Sequence, residues 1–280
     1  MLPMVEVYTD NSIEAIQRTS FYYHLEMKVV ILAGGLGTRI SEESHLRPKP
    51  MIEIGGRPIL WHIMKHFSHY GFNEFVICCG YKGYMIKEYF ANYFLHMSDV
   101  TIDLGKNETT IHRQKAEPWK VTLKDTGDDT ATGGRLLRIR EYLDNDFFVT
   151  YGDGVSDVNL KELLKFHRSR KKLVTVTAVK PKGRFGVLEV ENDNVKSFTE
   201  KPAGDGSWIS AGFFVCNITA LSYISGDQTS WEQEPLQTLS SNESLAVWKH
   251  EGFWSAMDTL RDKVYLETLW QERNAPWKIW

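Results

Sequence analysis

The sequence predicts an α/β fold with a mixed, mostly parallel sheet flanked by helices, and three observations point there. Residues 29–32 (VVIL), 74–80 (EFVICCG) and 147–150 (FFVT) are short apolar runs, as strands buried on both faces must be. Helical stretches follow at 58–70, 82–95 and 159–170. Glycine-bearing turns at 33–39 (AGGLGTR) and 151–154 (YGDG) leave the carboxyl ends of two of the runs, where α/β sheets bind ligands.

The first run leads straight into Ala33, Gly34, Gly35, Leu36, Gly37, Thr38 and Arg39. Its three glycines let the backbone turn tightly and bring bare N–H groups up to a ligand. A dinucleotide fingerprint is excluded, because Ile40 follows Arg39 and the third glycine is missing. A Walker A loop is excluded too, since no lysine follows Gly37. A tight turn and an anion-binding loop both remain on the glycines alone. Arg39 and Lys49, the latter inside Pro48-Lys49-Pro50, add fixed positive charge and favour a polyphosphate.

Pro58 opens the next helix and Gly71 ends it. His62, His66 and His69 share one of its faces. Without an H-E-x-x-H pattern or a nearby cysteine, they read as a polar helix face or a subunit contact rather than a metal site. Helix 82–95 carries Tyr84, Tyr89, Phe90, Tyr93 and Phe94 for packing against the sheet. Residues 101–123 alternate in polarity (VTIDL, KVTL), as exposed antiparallel strands do. Residues 125–135 (DTGDDTATGGR) form a polar loop opening a helix through 143; it either caps that helix or offers amides to an anion or base edge.

Asp153, between two glycines at a strand end, is either a turn residue or a hard ligand suited to Mg²⁺. Asp157 reads as the cap of helix 159–170. Strands at 173–179, 186–190 and 195–199 lead to Glu200-Lys201-Pro202, where a surface turn and a sugar-phosphate contact both fit. Gly212, in strand 209–216, allows close approach to the backbone. Residues 232–240 read as a helix, 248–256 as exposed strand and loop, and 260–271 as the last helix. Asp258 precedes that helix as its N-cap or as a second metal ligand. The aromatic tail 275–280 (APWKIW) reads as docked on the body or on a neighbouring subunit.

A chain of 280 residues can hold one large domain with a sizeable core. Residues 1–26 differ from the rest and read as an extension without chemistry, leaving 27–280 as the domain. A net charge of −3 argues against bulk nucleic-acid binding, so phosphate must be met by a local basic site. No stretch approaches a membrane span or a signal-peptide core. Three cysteines, Cys78, Cys79 and Cys216, without a C-x-x-C pair, read as buried free thiols in a reducing, cytoplasmic compartment.

The array LAGGLGTR…PKPM…GGRPI resembles the signature of the sugar-1-phosphate nucleotidyltransferase family. ICCGYKGYMIKEYFANYF, EPWKVTLKDTG, TGGRL, TYGDGVSD, WEQEPL and GFWSAMDTLRDKVYLE are similar to its glucose-1-phosphate cytidylyltransferase branch. That branch joins CTP and glucose 1-phosphate into CDP-glucose. The resemblance covers residues 27–280 and implies a Rossmann-like three-layer nucleotidyltransferase fold with small β excursions. It also implies a Mg²⁺-dependent homo-oligomer, a trimer or hexamer, making a precursor of CDP-linked deoxysugars for surface polysaccharide such as lipopolysaccharide O-antigen.

Residue by residue, the resemblance gives catalytic roles to Arg39, Lys49 and Asp153. It places Leu32, Ala33, Gly34, Gly35, Leu36, Gly37, Thr38, Arg39, Lys49, Thr130, Arg135 and Gly152 around the nucleotide. Glu200, Lys201 and Gly212 meet the sugar phosphate, and Asp153 with Asp258 hold the metal. Arg47 stands where the family has lysine, and the loop at 144–146 is slightly shorter than in relatives. Two other readings stay open: a sibling enzyme using another base or sugar, and a non-catalytic regulatory paralogue. The presence of Lys49, Asp153, Lys201 and Asp258 together argues for activity.

Overall fold

Strand β1 (Lys28–Leu32) is buried on both faces from Val29 onward, as its unbroken apolar run requires. The computed structural model describes residues 27–114, 116–181, 187–191, 194–199 and 207–280; Glu200, Lys201, residues 1–26 and the Arg39 side chain lie outside that set. After β1 come a small hairpin of β2 (Glu53–Ile54) and β3 (Arg57–Pro58), helix α1 (Ile59–His69), β4 (Glu74–Cys79) and α2 (Gly83–Ala91). A second hairpin, β5 (Ser98–Asp103) with β6 (Glu108–Gln114), precedes β7 (Lys120–Asp125), α3 (Thr132–Arg138), β8 (Asp146–Tyr151), β9 (Gly154–Ser156) and α4 (Leu160–Arg170). The chain continues through β10 (Val174–Val179), β11 (Val187–Glu191), β12 (Asn194–Thr199), β13 (Ile209–Asn217) and α5 (Glu234–Ser241). It finishes with β14 (Leu245–Lys249), β15 (Trp254–Ala256) and α6 (Leu260–Gln271).

Seven strands form the main sheet in the order β14-β10-β13-β8-β1-β4-β7. Every neighbouring pair is parallel except those made by β13, which runs antiparallel to both β10 and β8. The expected mixed, mostly parallel sheet is therefore present. From β1 the chain moves outward to β4 and β7, then returns to β8 on the other side of β1. The carboxyl ends of β1 and β8 thus frame the crevice where open α/β sheets take ligands.

Alternation along the strands builds a core on each face. Val29, Ile31, Phe75, Ile77 and Phe148 pack with Phe67 of α1, Leu163 of α4 and Leu266 of α6. Val30, Leu32, Val76, Cys78, Phe147 and Val149 pack on the opposite face with Leu136 of α3, Leu239 of α5 and Trp231. Helices on both faces make three layers. Cys78, Cys79 and Cys216 are buried free thiols, and burial pushes all three up from the usual thiol range.

Several local expectations change. Only β5 and β6 form the antiparallel excursion; β7 joins the main sheet parallel to β4, and its alternating polarity reflects an edge position. The strand and loop expected over 248–256 are present, though the first strand, β14, is an edge of the main sheet parallel to β10. The helix expected over 82–95 breaks at Asn92 into α2 and a single turn, Tyr93–His96. Tyr84 faces solvent instead of packing against the sheet, whereas Tyr93 is buried. The helix opening at 132 stops at Arg138 and continues only as a 3-10 turn, Arg140–Tyr142.

His62 and His66 do not lie on a polar face: both are buried, one against the Ile54 carbonyl at 2.8 Å, the other against the Val158 carbonyl at 2.8 Å. The spacing i, i+4 put them on the same side of α1 as the apolar residues, a choice that charge patterning could not reveal. Burial lowers the pKa of each from 6.5 to about 4. Both are neutral when folded and bind a proton on unfolding below pH 6.5, so stability falls as pH drops from about 6.5 to about 4. Each histidine contributes a slope of up to about 1.4 kcal/mol per pH unit in that window. Urea unfolding of wild type and His66→Gln at pH 5 and 7 checks this, and equal pH dependence of the two would refute it.

Candidate active site

The loop after β1 lines a cavity of about 420 Å³ at the crevice between β1 and β8. Leu32, Ala33, Gly34, Gly35, Gly37 and Thr38 all reach it, whereas Leu36 turns outward and is 56% exposed. Gly37 has φ +66°, and a Cβ there would meet the Lys49 and Ser44 side chains at 3.3 and 3.2 Å. Glycine is therefore needed for the turn itself. Arg39 belongs to the 3-10 turn Thr38–Ile40 that ends the loop.

Lys49 enters from a 3-10 turn, Lys49–Met51, whose direction is set by Pro48 and Pro50. Only 7% exposed, it donates from Nζ to Asp153 Oδ2 at 2.6 Å and to Asp258 Oδ1 at 2.6 Å. The short ladder of β9 with β15 brings those two aspartates together: Gly154 pairs with Ala256, and Met257 N donates to the Asp153 carbonyl at 2.8 Å. Two carboxylates converging beside the cavity are a hard-oxygen donor set. Among the described residues no group of three or more His, Cys, Asp or Glu side chains could hold a metal. A pair of carboxylates is the donor set of a cation that completes its shell with phosphate oxygens and water.

Asp258 is not the N-cap of α6. Thr259 caps it, in a reciprocal box with Asp262, leaving the Asp258 carboxylate to Lys49. Nor does Asp157 cap α4, whose cap is Asn159, accepting from Glu162 N at 3.1 Å. Asp157 instead accepts from Phe253 N at 2.7 Å and pairs with His250 at 2.8 Å, fastening the chain that leads into β15. Both aspartates looked like caps because they sit just before helices; the true caps are one and two residues further on.

Thr130, Arg135 and Gly152 also line the cavity. Arg135 is buried and donates to Thr126 Oγ1 and the carbonyls of Gly127, Gly34 and Asp128 at 2.7, 2.7, 3.0 and 3.2 Å. It joins the first glycine loop to the 126–128 loop, and burial lowers its pKa without removing its charge. Gly212 lies one strand over with φ +77°; a Cβ there would come within 2.3 Å of the Tyr151 ring. Its immediate use is to admit that ring.

Tyr151, Thr132 and Glu232 also line the cavity and were not singled out by the sequence. Glu232 was read as the first residue of a helix, but α5 begins at Glu234. Freed from the helix, its carboxylate accepts from the Tyr151 hydroxyl and from Thr132 Oγ1. No spacing signal could have paired residues 81 and 100 positions apart.

A crevice of this topology, lined by a glycine loop with a lysine held between two carboxylates beside it, is the kind of place where α/β sheets bind nucleotides. The chain belongs to the Nucleotidyl transferase family, whose model matches residues 28–254. It is 58% identical over 256 residues to a glucose-1-phosphate cytidylyltransferase of Salmonella typhi, covering 91% of this chain and 100% of that one. A probable glucose-1-phosphate cytidylyltransferase of Bacillus subtilis (strain 168) is 43% identical over the same shares. Among solved structures, HddC from Yersinia pseudotuberculosis matches with a TM-score of 0.64 at 21% identity, covering 87% of this chain and 99% of that one. That last likeness is one of fold.

Proposed function

We propose that the enzyme transfers CMP from CTP to α-D-glucose 1-phosphate, releasing pyrophosphate and forming CDP-glucose. The cluster of Lys49 with Asp153 and Asp258 beside the cavity carries the reading, and the 58% identical relative supports its substrates. One oxygen of the sugar phosphate attacks the α-phosphorus in line with the departing pyrophosphate. A phosphate monoester is largely dianionic near neutral pH, so no strong general base is needed. Positioning and charge neutralisation do the rest.

In this reading the amides of residues 34–38 and Arg39 grip the pyrophosphate, and the Lys49 ammonium neutralises phosphate charge at the reacting centre. Thr130 and Arg135 shape the nucleoside side, and Glu200, Lys201 and Gly212 place the sugar phosphate. Asp153 and Asp258 would hold Mg²⁺, which when bound supplies positive charge against the α-phosphate. The chemistry lies within residues 27–280. The β5–β6 hairpin presents Ile102, Leu104 and Ile111 to solvent, which supports a homo-oligomer built through it. Among the described residues no helix is long and apolar enough to cross a membrane. The buried free thiols suit the cytoplasm, where CDP-glucose would feed deoxysugar synthesis for surface polysaccharide.

A sibling using another base or sugar would share the phosphate-handling residues, so the test must span both. Pyrophosphate release is measured with CTP, UTP, dTTP, ATP and GTP against several sugar 1-phosphates, with and without Mg²⁺. Release confined to CTP and glucose 1-phosphate, and abolished by chelator, is expected. A different preferred pair would replace the substrates, and silence across the grid from folded protein would refute the transfer reading.

A further inference from the structure

We propose that Glu232 reads the ribose of the nucleotide, accepting hydrogen bonds from its 2′- and 3′-hydroxyls, an inference that rests on the nucleotidyl-transfer reading above. Glu232 lines the cavity together with the glycine loop and Asp153. Two pillars from different elements hold its carboxylate. Tyr151 is the last residue of β8, directly before Gly152 and Asp153, and its hydroxyl donates to Oε1. Thr132 is the first residue of α3, two positions after Thr130, and donates from Oγ1 to Oε2 at 2.6 Å.

The directions of these hydrogen bonds are set. Thr132 Oγ1 already accepts from Trp231 N at 2.9 Å, so its own proton goes to Glu232. A carboxylate oxygen only accepts, so the Tyr151 hydroxyl facing Oε1 is the donor. Among the described residues each Glu232 oxygen therefore has one donor, with lone-pair capacity left for a ligand. A carboxylate repels phosphate, so its ligand must be a donor. Two acceptors side by side match a vicinal diol better than the single amine of a base, and carboxylates read ribose hydroxyls in other α/β nucleotide folds.

The surroundings favour ribose over the acceptor sugar. Both pillars stand beside residues that line the cavity with the glycine loop, namely Gly152 and Thr130. Towards β13, by contrast, the Tyr151 ring lies against Gly212, so it stands between that glycine and the hydroxyl that meets the carboxylate.

Initial rates with CTP, 2′-deoxy-CTP and 3′-deoxy-CTP, for wild type, Glu232→Gln and Tyr151→Phe, test the assignment. Wild type should prefer CTP by about 10- to 100-fold in kcat/KM, the worth of a hydrogen bond to a charged group. In Glu232→Gln that preference should collapse to within about threefold. Tyr151→Phe, which keeps the carboxylate but removes one of its donors, should move it part of the way. An unchanged preference in Glu232→Gln overturns the proposal. Should wild type transfer nothing, the transfer reading fails separately. Titration calorimetry of CTP and 2′-deoxy-CTP against wild type and both variants then decides, with equal affinity ratios overturning the role of Glu232.

Discussion

Asp258→Asn should lower kcat/KM for nucleotidyl transfer by roughly 10²–10³, about 3–4 kcal/mol of transition-state stabilisation, while leaving the fold intact. Its carboxylate is one of two that flank Lys49, and it is the partner the metal would share with Asp153. The substitution keeps the shape of the side chain and removes its charge. Little structural damage is expected, because the start of α6 is secured by Thr259 and Asp262, and the Asp258 backbone N–H bonds to Asp262 Oδ2 at 3.1 Å. Unchanged thermal unfolding alongside the rate loss separates chemistry from stability. The proposed Mg²⁺ dependence should also shift to higher concentration. Turnover within a few-fold of wild type would remove Asp258 from the reacting centre.

Trp277→Ala should destabilise the protein by about 3–5 kcal/mol. The tail docks on the body of its own chain: Trp277 is fully buried and stacks on Phe253 and Trp270 with ring centroids 5.5 and 6.4 Å apart. Its indole N–H also donates to His62 Nδ1 at 3.4 Å, while His62 gives its Nε2 proton to the Ile54 carbonyl. Truncation would open a cavity among three aromatic side chains and orphan a buried imidazole nitrogen, two costs that add. Because Trp270 lies in α6, which starts just after Asp258, some rate loss should accompany the instability. Urea unfolding measures the first effect; a loss under about 1 kcal/mol would mean the tail is only resting on the surface.

Much of the sheet was legible because its signal is local. The strands at 29–32, 74–80 and 147–150 had to be buried on both faces, and their apolar runs said so without reference to the rest of the chain. The final helix, Leu260–Gln271, was read to the residue from its own pattern. Edge strands were misread because half-exposed parallel strands alternate in polarity as antiparallel ones do; β7 is the instance. His62 and His66 of α1 were misread, though not the exposed His69, because a neutral imidazole suits a core as well as a surface once a carbonyl meets its N–H.

The sequence by itself determined the α/β class, the glycine loop and the charge of Lys49 near it, whereas Asp153 and Asp258 stood out only through the family resemblance, since locally each also read as a turn residue or a helix cap. Tertiary structure alone decided which of these meet. The β9–β15 ladder brings Asp258 beside Asp153, so that one lysine bridges both. Only folding turned Asp157 from a cap into a fastening for β15, and swung Glu232 out of a helix to face the cavity. The physical reason is range. Backbone preference and hydrophobic period act over a few residues, whereas a site is assembled by packing and strand pairing between segments a hundred residues apart, whose register no local pattern encodes.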